Sequence, residues 1–360
     1  MTKVIFAGGG TAGHIEPALA VARRWSEKHK QHQIRFLGTR AGLESTLIPA
    51  AGFEITYIPK VTAPRKIAPR TFLFPLSLIR ALVSAIRAIS GAELIVGFGG
   101  YVSAPAYLAA KLRRIPIVIH EANAKPGMAN RLGSKLTPYC AVSHQVAQKT
   151  LKNSTLTGLP LKENIAQAFV VAQKDWLEAR IQAKHKLGFE VSKPLIFVFG
   201  GSQGSEAINK VIAAAQGKIA DLGVNILHGV GSQSALPEST SDYRAVSYIS
   251  DIATAYLAAD LIISRSGAVT CAEVNSLGRY ALFIPLPIGN GEQNLNASSL
   301  VSQGRAEIMA QPLFNEEWLL HNIERLISAS AKAPISGSGL DIEATNKIVE
   351  LMESALSGGK

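Results

Sequence analysis

Short apolar runs recur along the chain, each about five residues long and each followed by a polar or glycine-rich turn. In the first half they cover 3–7, 34–38, 54–58, 93–98, 115–120, 139–143 and 154–157. In the second half they cover 195–199, 224–228, 245–248, 261–264, 281–284 and 306–309. Near-continuous Val, Ile, Leu and Phe, without polar alternation, predicts strands buried on both faces. Stretches of helical spacing lie between them, including 17–30 from Pro17, 78–89, a charged 173–187 and a last stretch near 341–356. This alternation predicts an α/β chain with parallel sheets, arranged as two Rossmann-like domains. The expected first domain is 1–160, with Gly158-Leu159-Pro160 as a hinge. The second is 161–341, and a terminal helix within 342–360 is expected to pack back on the first.

Glycine-rich turns follow two of the strands. Val4-Ile5-Phe6-Ala7 leads into Gly8-Gly9-Gly10-Thr11-Ala12-Gly13-His14, and the run 195–199 leads into Gly200-Gly201-Ser202-Gln203-Gly204. A strand-to-helix turn offers free backbone N–H groups at the positive end of the helix dipole, and glycine lets a phosphate approach them. One such turn in each half predicts two domains facing across a cleft, each able to grip a diphosphate. Gly8, Gly10 and Gly13 also satisfy the dinucleotide spacing G-x-G-x-x-G. However, the second strand runs into Thr39-Arg40, where a ribose-binding acid belongs. A nicotinamide fold would also leave the second glycine turn without a purpose.

Further candidate chemistry sits at strand ends. His14 stands at the mouth of a helix, which disfavours imidazolium, so it reads either as a proton acceptor or as a brace for its loop. A third glycine turn, Gly97-Phe98-Gly99-Gly100-Tyr101-Val102-Ser103, and the polar stretch His120-Glu121-Ala122-Asn123 end neighbouring strands at the rim where open parallel sheets bind ligands. In the second half, Ser264-Arg265-Ser266-Gly267-Ala268-Val269-Thr270 joins a strand to a helix carrying Glu273. That carboxylate can accept hydrogen bonds from a ribose diol or simply offset a helix dipole. Glu292-Gln293-Asn294 and Asn296 form an amide-rich stretch suited to sugar hydroxyls.

Charge separates the halves. Residues 1–160 hold 21 Lys and Arg against 6 Glu and no Asp, a balance of +15, and the remainder stands at −4. The first half is therefore expected to meet an anionic partner. No acid occurs from Ile55 to Ala92, while Lys60, Arg65, Lys66, Arg70, Arg80 and Arg87 do. With Phe72 and Phe74 beside Lys66 and Arg70, the 65–76 portion reads as a surface dipping into an anionic bilayer, and 78–89 as a core helix. Pro75 and the two arginines make the segment a poor membrane span, since about 20 apolar residues would be needed. Two cysteines, Cys140 and Cys271, lack ligand spacing and read as buried apolar residues. The first strand begins almost at Met1, which fits a cytoplasmic chain without a secretory signal.

Together these segments resemble the MurG family of peptidoglycan glycosyltransferases. The likeness rests on the glycine loop ending in His14, the turn Gly99-Gly100-Tyr101-Val102-Ser103 and His120-Glu121-Ala122-Asn123. It continues with 200–204, the block from Arg265 to Glu273 and the loop before Asn296-Ala297, all in order from residue 4 to about 310. The resemblance implies a GT-B fold and inverting transfer of GlcNAc from UDP-GlcNAc to the 4-hydroxyl of MurNAc-pentapeptide on undecaprenyl diphosphate. It implies His14 as general base and no cofactor or metal; no Asp-x-Asp stretch is present.

For the donor it implies Thr11, Asn123, Lys162, Ser202, Gln203, Ile252, Arg265, Ser266, Ala268, Glu273, Glu292 and Gln293. For the acceptor it implies Gly9, Gly10, Gly13, Gly99, Gly100, Tyr101, His120 and Glu121. Work at the cytoplasmic face of the plasma membrane follows, as a peripheral protein on an anionic surface and a member of a cell-wall synthesis complex. The chain departs from the family at Ala12, a usual glycine, at Leu159-Pro160-Leu161-Lys162 in place of Asn-Pro-x-Arg, and at Glu292, a usual glutamine. Lys162 keeps the charge but loses the bidentate fork of arginine.

Two other classes compete. A UDP-sugar epimerase or another lipid glycosyltransferase would share the fold, and the basic, apolar 60–76 surface favours a lipid acceptor over a free sugar. A nucleic-acid-binding protein would use the basic half, but no aromatic–basic interleaving or known module supports it, and no nucleic acid is expected.

Overall fold

The apolar runs of the first half pair into one seven-stranded sheet. Its strands are β1 (Lys3–Gly8), β2 (Gln33–Gly38), β3 (Glu54–Tyr57), β4 (Leu94–Gly99), β5 (Ile117–Glu121), β6 (Cys140–Val142) and β7 (Ser154–Leu156). They run parallel in the order β3-β2-β1-β4-β5-β6-β7. Helices α1 (Ala12–Lys28), α2 (Glu44–Ala50), α3 (Phe74–Ala88), α4 (Ser103–Arg113), α5 (Met128–Gly133) and α6 (Gln145–Gln148) connect them. This computed structural model describes residues 2–61, 74–201, 203–287 and 291–358, with the side chains of Phe74 and Pro75 also outside the description.

The chain divides into two units, Met1–Lys162 with Leu340–Lys360, and Glu163–Gly339. In the first, Val4, Phe6, Phe36, Val96 and Phe98 pack one face of the sheet against Ile15, Leu19, Ala22 and Trp25 of α1. Helix α1 starts at Ala12, five residues before the expected Pro17. Pro17 lies in its second turn and costs the ladder one N–H bond, and burial of the Ile15–Trp25 face carries the helix through it. The C-terminal helix, Ala344–Gly358, belongs to this unit: Ile348, Val349, Met352 and Ala355 enter the same core. Its Glu353 pairs with Lys28 and His29 at the end of α1.

The second unit holds α7 (Glu163–Ala172), α8 (Trp176–Leu187), β8 (Leu195–Phe199), α9 (Glu206–Asp221), β9 (Asn225–Gly229), β10 (Tyr243–Val246), α10 (Ile252–Ala258), β11 (Leu261–Ser264), α11 (Ala268–Ser276), β12 (Ala281–Phe283), α12 (Glu292–Asn296), α13 (Ser298–Ser302), β13 (Ala306–Ile308) and α14 (Glu316–Lys332). Its six strands are parallel in the order β10-β9-β8-β11-β12-β13. Ile208, Ile212 and Ile219 of α9 pack beside Leu319, Ile323 and Leu326 of α14 in its core. Strand β10 lies two residues earlier than 245–248, because Tyr243 turns into the core and pairs its backbone with Ile226. The helix expected over 173–187 is present as α8 and starts three residues later, at Trp176. Asp175 caps α8 by accepting from the N–H groups of Leu177 and Glu178, and Gly188 ends it in the left-handed region at φ +72°.

The chain leaves the first unit after Lys162 and returns at Leu340, and a buried bond ties the two passes together. The Leu159 N–H donates to Asp341 Oδ1 at 2.7 Å. Gly158 sits beside it at φ +87°, and a Cβ there would come within 2.8 Å of both Asp341 Oδ1 and the Leu340 carbonyl. Burial raises the Asp341 pKa to about 6, a shift that the Leu159 N–H and Lys347 only partly offset. Because folding raises this pKa above its ordinary 3.8, the protonated group favours the folded state. That contribution is fully present below about pH 4 and is lost as the pH rises through about 6. Asp341→Asn keeps an acceptor for Leu159 without the charge. Relative to the parent, it should gain stability between about pH 4 and pH 6 and hold the gain above, by a few kcal/mol at most. Thermal unfolding of both proteins across that range checks this, and a difference independent of pH would refute it.

Candidate functional site

In each sheet the strand order reverses once, between β1 and β4 and between β8 and β11. Parallel α/β sheets bind ligands outside the strand ends at such points. Both expected glycine turns fall there, the first after β1 and the second after β8.

In the first unit the turns after β1 and β4 meet backbone to backbone. Gly99 and Gly100 lie at φ +92° and +86°, and a Cβ on Gly100 would stand 2.2 Å from the Gly9 carbonyl oxygen. Gly10, at φ +93°, faces Tyr101, whose ring carries the Lys60 ammonium 4.4 Å from its centroid. Thr11 caps α1 without a side-chain capping bond, and its hydroxyl lies 3.3 Å from His14 Nδ1. His14 Nδ1 also lies 3.2 Å from the Gly9 carbonyl oxygen. A carbonyl only accepts, so that bond requires Nδ1–H and places the ring's lone pair on Nε2. The Nε2 edge of the ring faces Gly99. Gly13 sits half-buried in the first turn of α1.

The polar stretch after β5 is built inward. Glu121 is buried; its Oε1 accepts from the N–H and side-chain amide of Asn123, and its Oε2 from the Gly127 N–H and Asn130 Nδ2. His120, fully buried, bonds the Gly158 carbonyl through Nε2 at 3.1 Å, and burial drives its pKa down to about 4. Glu121 therefore organises the loop around Asn123, which is half-buried, while His120 fastens the end of β5 to Gly158. Lys162 pairs with Glu16 of α1 at 3.1 Å.

In the second unit Gly201 and Gly204 lie at φ +96° and +83°, and a Cβ on Gly204 would stand 2.1 Å from the Val230 carbonyl oxygen. Gln203 is exposed, and Ser205 caps α9 behind it. Ile252 opens α10 behind the capping residue Asp251. Arg265 is half-buried and clamps the segment after β12, donating to the carbonyls of Ile284 and Pro285 and to Gln311 Oε1. Ser266 and Ala268 are buried at the start of α11, and the Ser266 hydroxyl has no partner among the described residues. Glu273, also buried, accepts from the Tyr256 hydroxyl at 2.8 Å. Gln293 Oε1 accepts from the Leu286 N–H, and Glu292 starts α12 beside it.

Ser202, Lys66, Arg70 and Phe72 lie outside the described residues, as does the side chain of Phe74. Helix α3, expected as core over 78–89, divides its faces. Ala81 and Ala85 are buried, while Leu76, Ile79 and Val83 are exposed, as are Arg80 and Arg87. Among the described residues no helix is long and apolar enough to cross a membrane, and no three His, Cys, Asp or Glu side chains gather as metal ligands.

Sequence reasoning missed Glu44, Asn130 and Tyr256. Glu44 bonds Gly10 and Thr39, Asn130 bonds His120 and Glu121, and Tyr256 bonds Glu273. Each acts on a residue distant along the chain, which no local pattern reveals.

Two parallel α/β units, each with a glycine turn where its strand order reverses, have the architecture of the GT-B class. The chain belongs to glycosyltransferase family 28: the family's N-terminal domain matches residues 4–142 and its C-terminal domain residues 195–351. It is 42% identical to the UDP-N-acetylglucosamine–N-acetylmuramyl-(pentapeptide) pyrophosphoryl-undecaprenol N-acetylglucosamine transferase of Frankia casuarinae, over 94% of this chain and 91% of that one. A protein of the same name from Thermobifida fusca is 40% identical over 92% of this chain and 89% of its own. Among solved structures, MurG of Acinetobacter baumannii matches with a TM-score of 0.71 and 27% identity, over 98% of this chain and all of the other.

Proposed function

We propose that this chain transfers GlcNAc from UDP-GlcNAc, with inversion, to MurNAc-pentapeptide on undecaprenyl diphosphate, a step of peptidoglycan synthesis. The names of relatives covering nearly the whole chain support the substrates. The observation that carries the chemistry is the Nδ1–Gly9 bond of His14, because it leaves Nε2 as the proton-accepting atom. His14 removes the proton of the acceptor hydroxyl as that oxygen attacks the anomeric carbon. The glycine turn before α9 receives the departing UDP diphosphate on backbone N–H groups, with Ser202 and Gln203 beside it. Glu273, oriented by Tyr256, accepts from the ribose hydroxyls, and the backbone at Ile252 edges the uracil. Arg265, Ser266 and Ala268 shape the nucleotide's border, while Gln293, Glu292 and Asn123 address the sugar.

In the first unit the turns at 8–13 and 99–101 take the acceptor's diphosphate. Glu121 holds the adjoining loop in shape through Asn123 and Gly127, while His120 ties the end of β5 to the Gly158 carbonyl and the Ser143 hydroxyl. The chain works as a peripheral protein on an anionic membrane. The exposed Leu76, Ile79 and Val83 enter the interface while Arg80 and Arg87 meet headgroups.

His14→Ala should cut turnover by about 10²–10⁴-fold, the usual worth of a general base. UDP affinity should stay within about threefold, or about 0.65 kcal/mol. Glu273→Ala should instead weaken UDP binding. Steady-state rates and calorimetric UDP titration separate the two, and an equal loss of UDP affinity in His14→Ala would make His14 a ligand. Replacing Ile79 and Val83 together by Ser should reduce sedimentation with anionic vesicles without lowering the melting temperature. Unaltered partitioning would remove α3 from the membrane surface.

A further inference from the structure

Glu44 is a buried carboxylate beside the first glycine turn with no part in the chemistry above. It opens α2 and is fully buried. Its Oε2 accepts from the Gly10 N–H at 2.8 Å, and its Oε1 from the Thr39 N–H and hydroxyl at 2.9 and 2.8 Å. A Cβ on Gly9, Gly38 or Gly42 would stand 2.9, 2.7 or 1.9 Å from a Glu44 side-chain atom. Glycines from three segments thus make room for one carboxylate. Burial pushes the Glu44 pKa up, but the N–H groups of Gly10, Thr39 and Glu44 itself, with the Thr39 hydroxyl, outweigh it and hold the pKa below the ordinary value. The group is ionised at neutral pH. An apolar side chain would fill this space without the cost of a buried charge, so the charge calls for a use.

That use lies in a single peptide unit. The peptide joining Gly9 to Gly10 gives its N–H to Glu44, and its carbonyl accepts from His14 Nδ1. An anion bonded at a peptide N–H draws negative charge onto the peptide oxygen through amide resonance and makes it a better acceptor. Gly100 packs on the same peptide and keeps it from turning.

We propose that Glu44 is a positioning residue for His14, acting through the Gly9–Gly10 peptide: its carboxylate fixes that peptide and strengthens the carbonyl that holds the imidazole as the Nδ1–H tautomer. The arrangement resembles the carboxylate that orients a catalytic histidine in a hydrolase triad, with a peptide bond interposed. It rests on the reading of His14 as the base. The charged side chains on the surrounding elements are engaged elsewhere. Glu16 of α1 pairs with Lys162, Arg40 after β2 stacks on Tyr57, Lys60 after β3 stacks on Tyr101, and Glu121 of β5 is bound within its own loop.

The test is NMR of the full chain with ¹⁵N-labelled histidine, the His14 signals being assigned by their absence in His14→Ala. In the unsubstituted protein Nε2 should carry the lone pair at neutral pH. A lone pair on Nδ1 would overturn the proposal without recourse to any Glu44 variant. In Glu44→Gln, loss of the charge should lower the His14 titration midpoint by about half a unit or more. The acid limb of kcat should move down with it. Turnover should fall about tenfold, far less than the ~10⁴ lost when a directly bonded triad carboxylate becomes an amide. KM for UDP-GlcNAc should hold. A fall in kcat with the His14 titration unmoved would make Glu44 only a structural brace and overturn the proposal. Full turnover by His14→Ala would instead defeat the base assignment, and the His14 titration would still decide the link to Glu44.

Discussion

Two neighbouring parallel strands, β1 and β4, leave their sheet at the same rim, and their turns have nowhere to go but against each other. The contact is backbone on backbone, and a Cβ on Gly100 would collide with the Gly9 carbonyl, so the second turn can carry no side chain there. Fixing Gly9 fixes the acceptor of the His14 bond, and with it the face that the imidazole presents. The second unit repeats the constraint, Gly204 and Gly231 meeting at the ends of β8 and β9. Glycine is needed in these turns for the approach of another strand's turn as well as for any phosphate.

Buried carboxylates supply the rest of the rigidity. Glu44, Glu121 and Asp341 each accept from backbone N–H groups of a loop that would otherwise lack partners. Glu273 does the same for a tyrosine hydroxyl. Loops pinned in this way hold their backbone groups in place before any substrate arrives. Asp341 shows the cost, since its burial pulls its pKa towards neutrality.

The sheets were legible in the sequence because strands covered on both faces need unbroken apolar runs, as in Val4–Ala7 and Leu195–Phe199. The glycine turns were legible because a parallel strand must end where its helix begins. Helix limits were less so. Pro17 suggested a start that burial of Ile15 overrode, whereas the start of α8 at Trp176 had a readable cap in Asp175 and Glu178. Glu44, Asn130 and Tyr256 were illegible for a different reason. They bond residues 5 to 34 positions away, and nothing in the local pattern of a Glu at a helix start distinguishes a surface charge from a buried strut.

The central claim is that one chain brings a nucleotide-sugar donor and a lipid-diphosphate acceptor to the same reaction, with His14 as the base. The most direct measurement is UDP release from UDP-GlcNAc by the purified protein, with and without a MurNAc-pentapeptide diphospholipid. Release that depends on the acceptor, together with one molecule of GlcNAc-bearing lipid per UDP, is the expected result. Tight UDP binding with no acceptor-dependent release would contradict it and point to a different acceptor or donor, with Lys162 and Glu292 the first residues to re-examine.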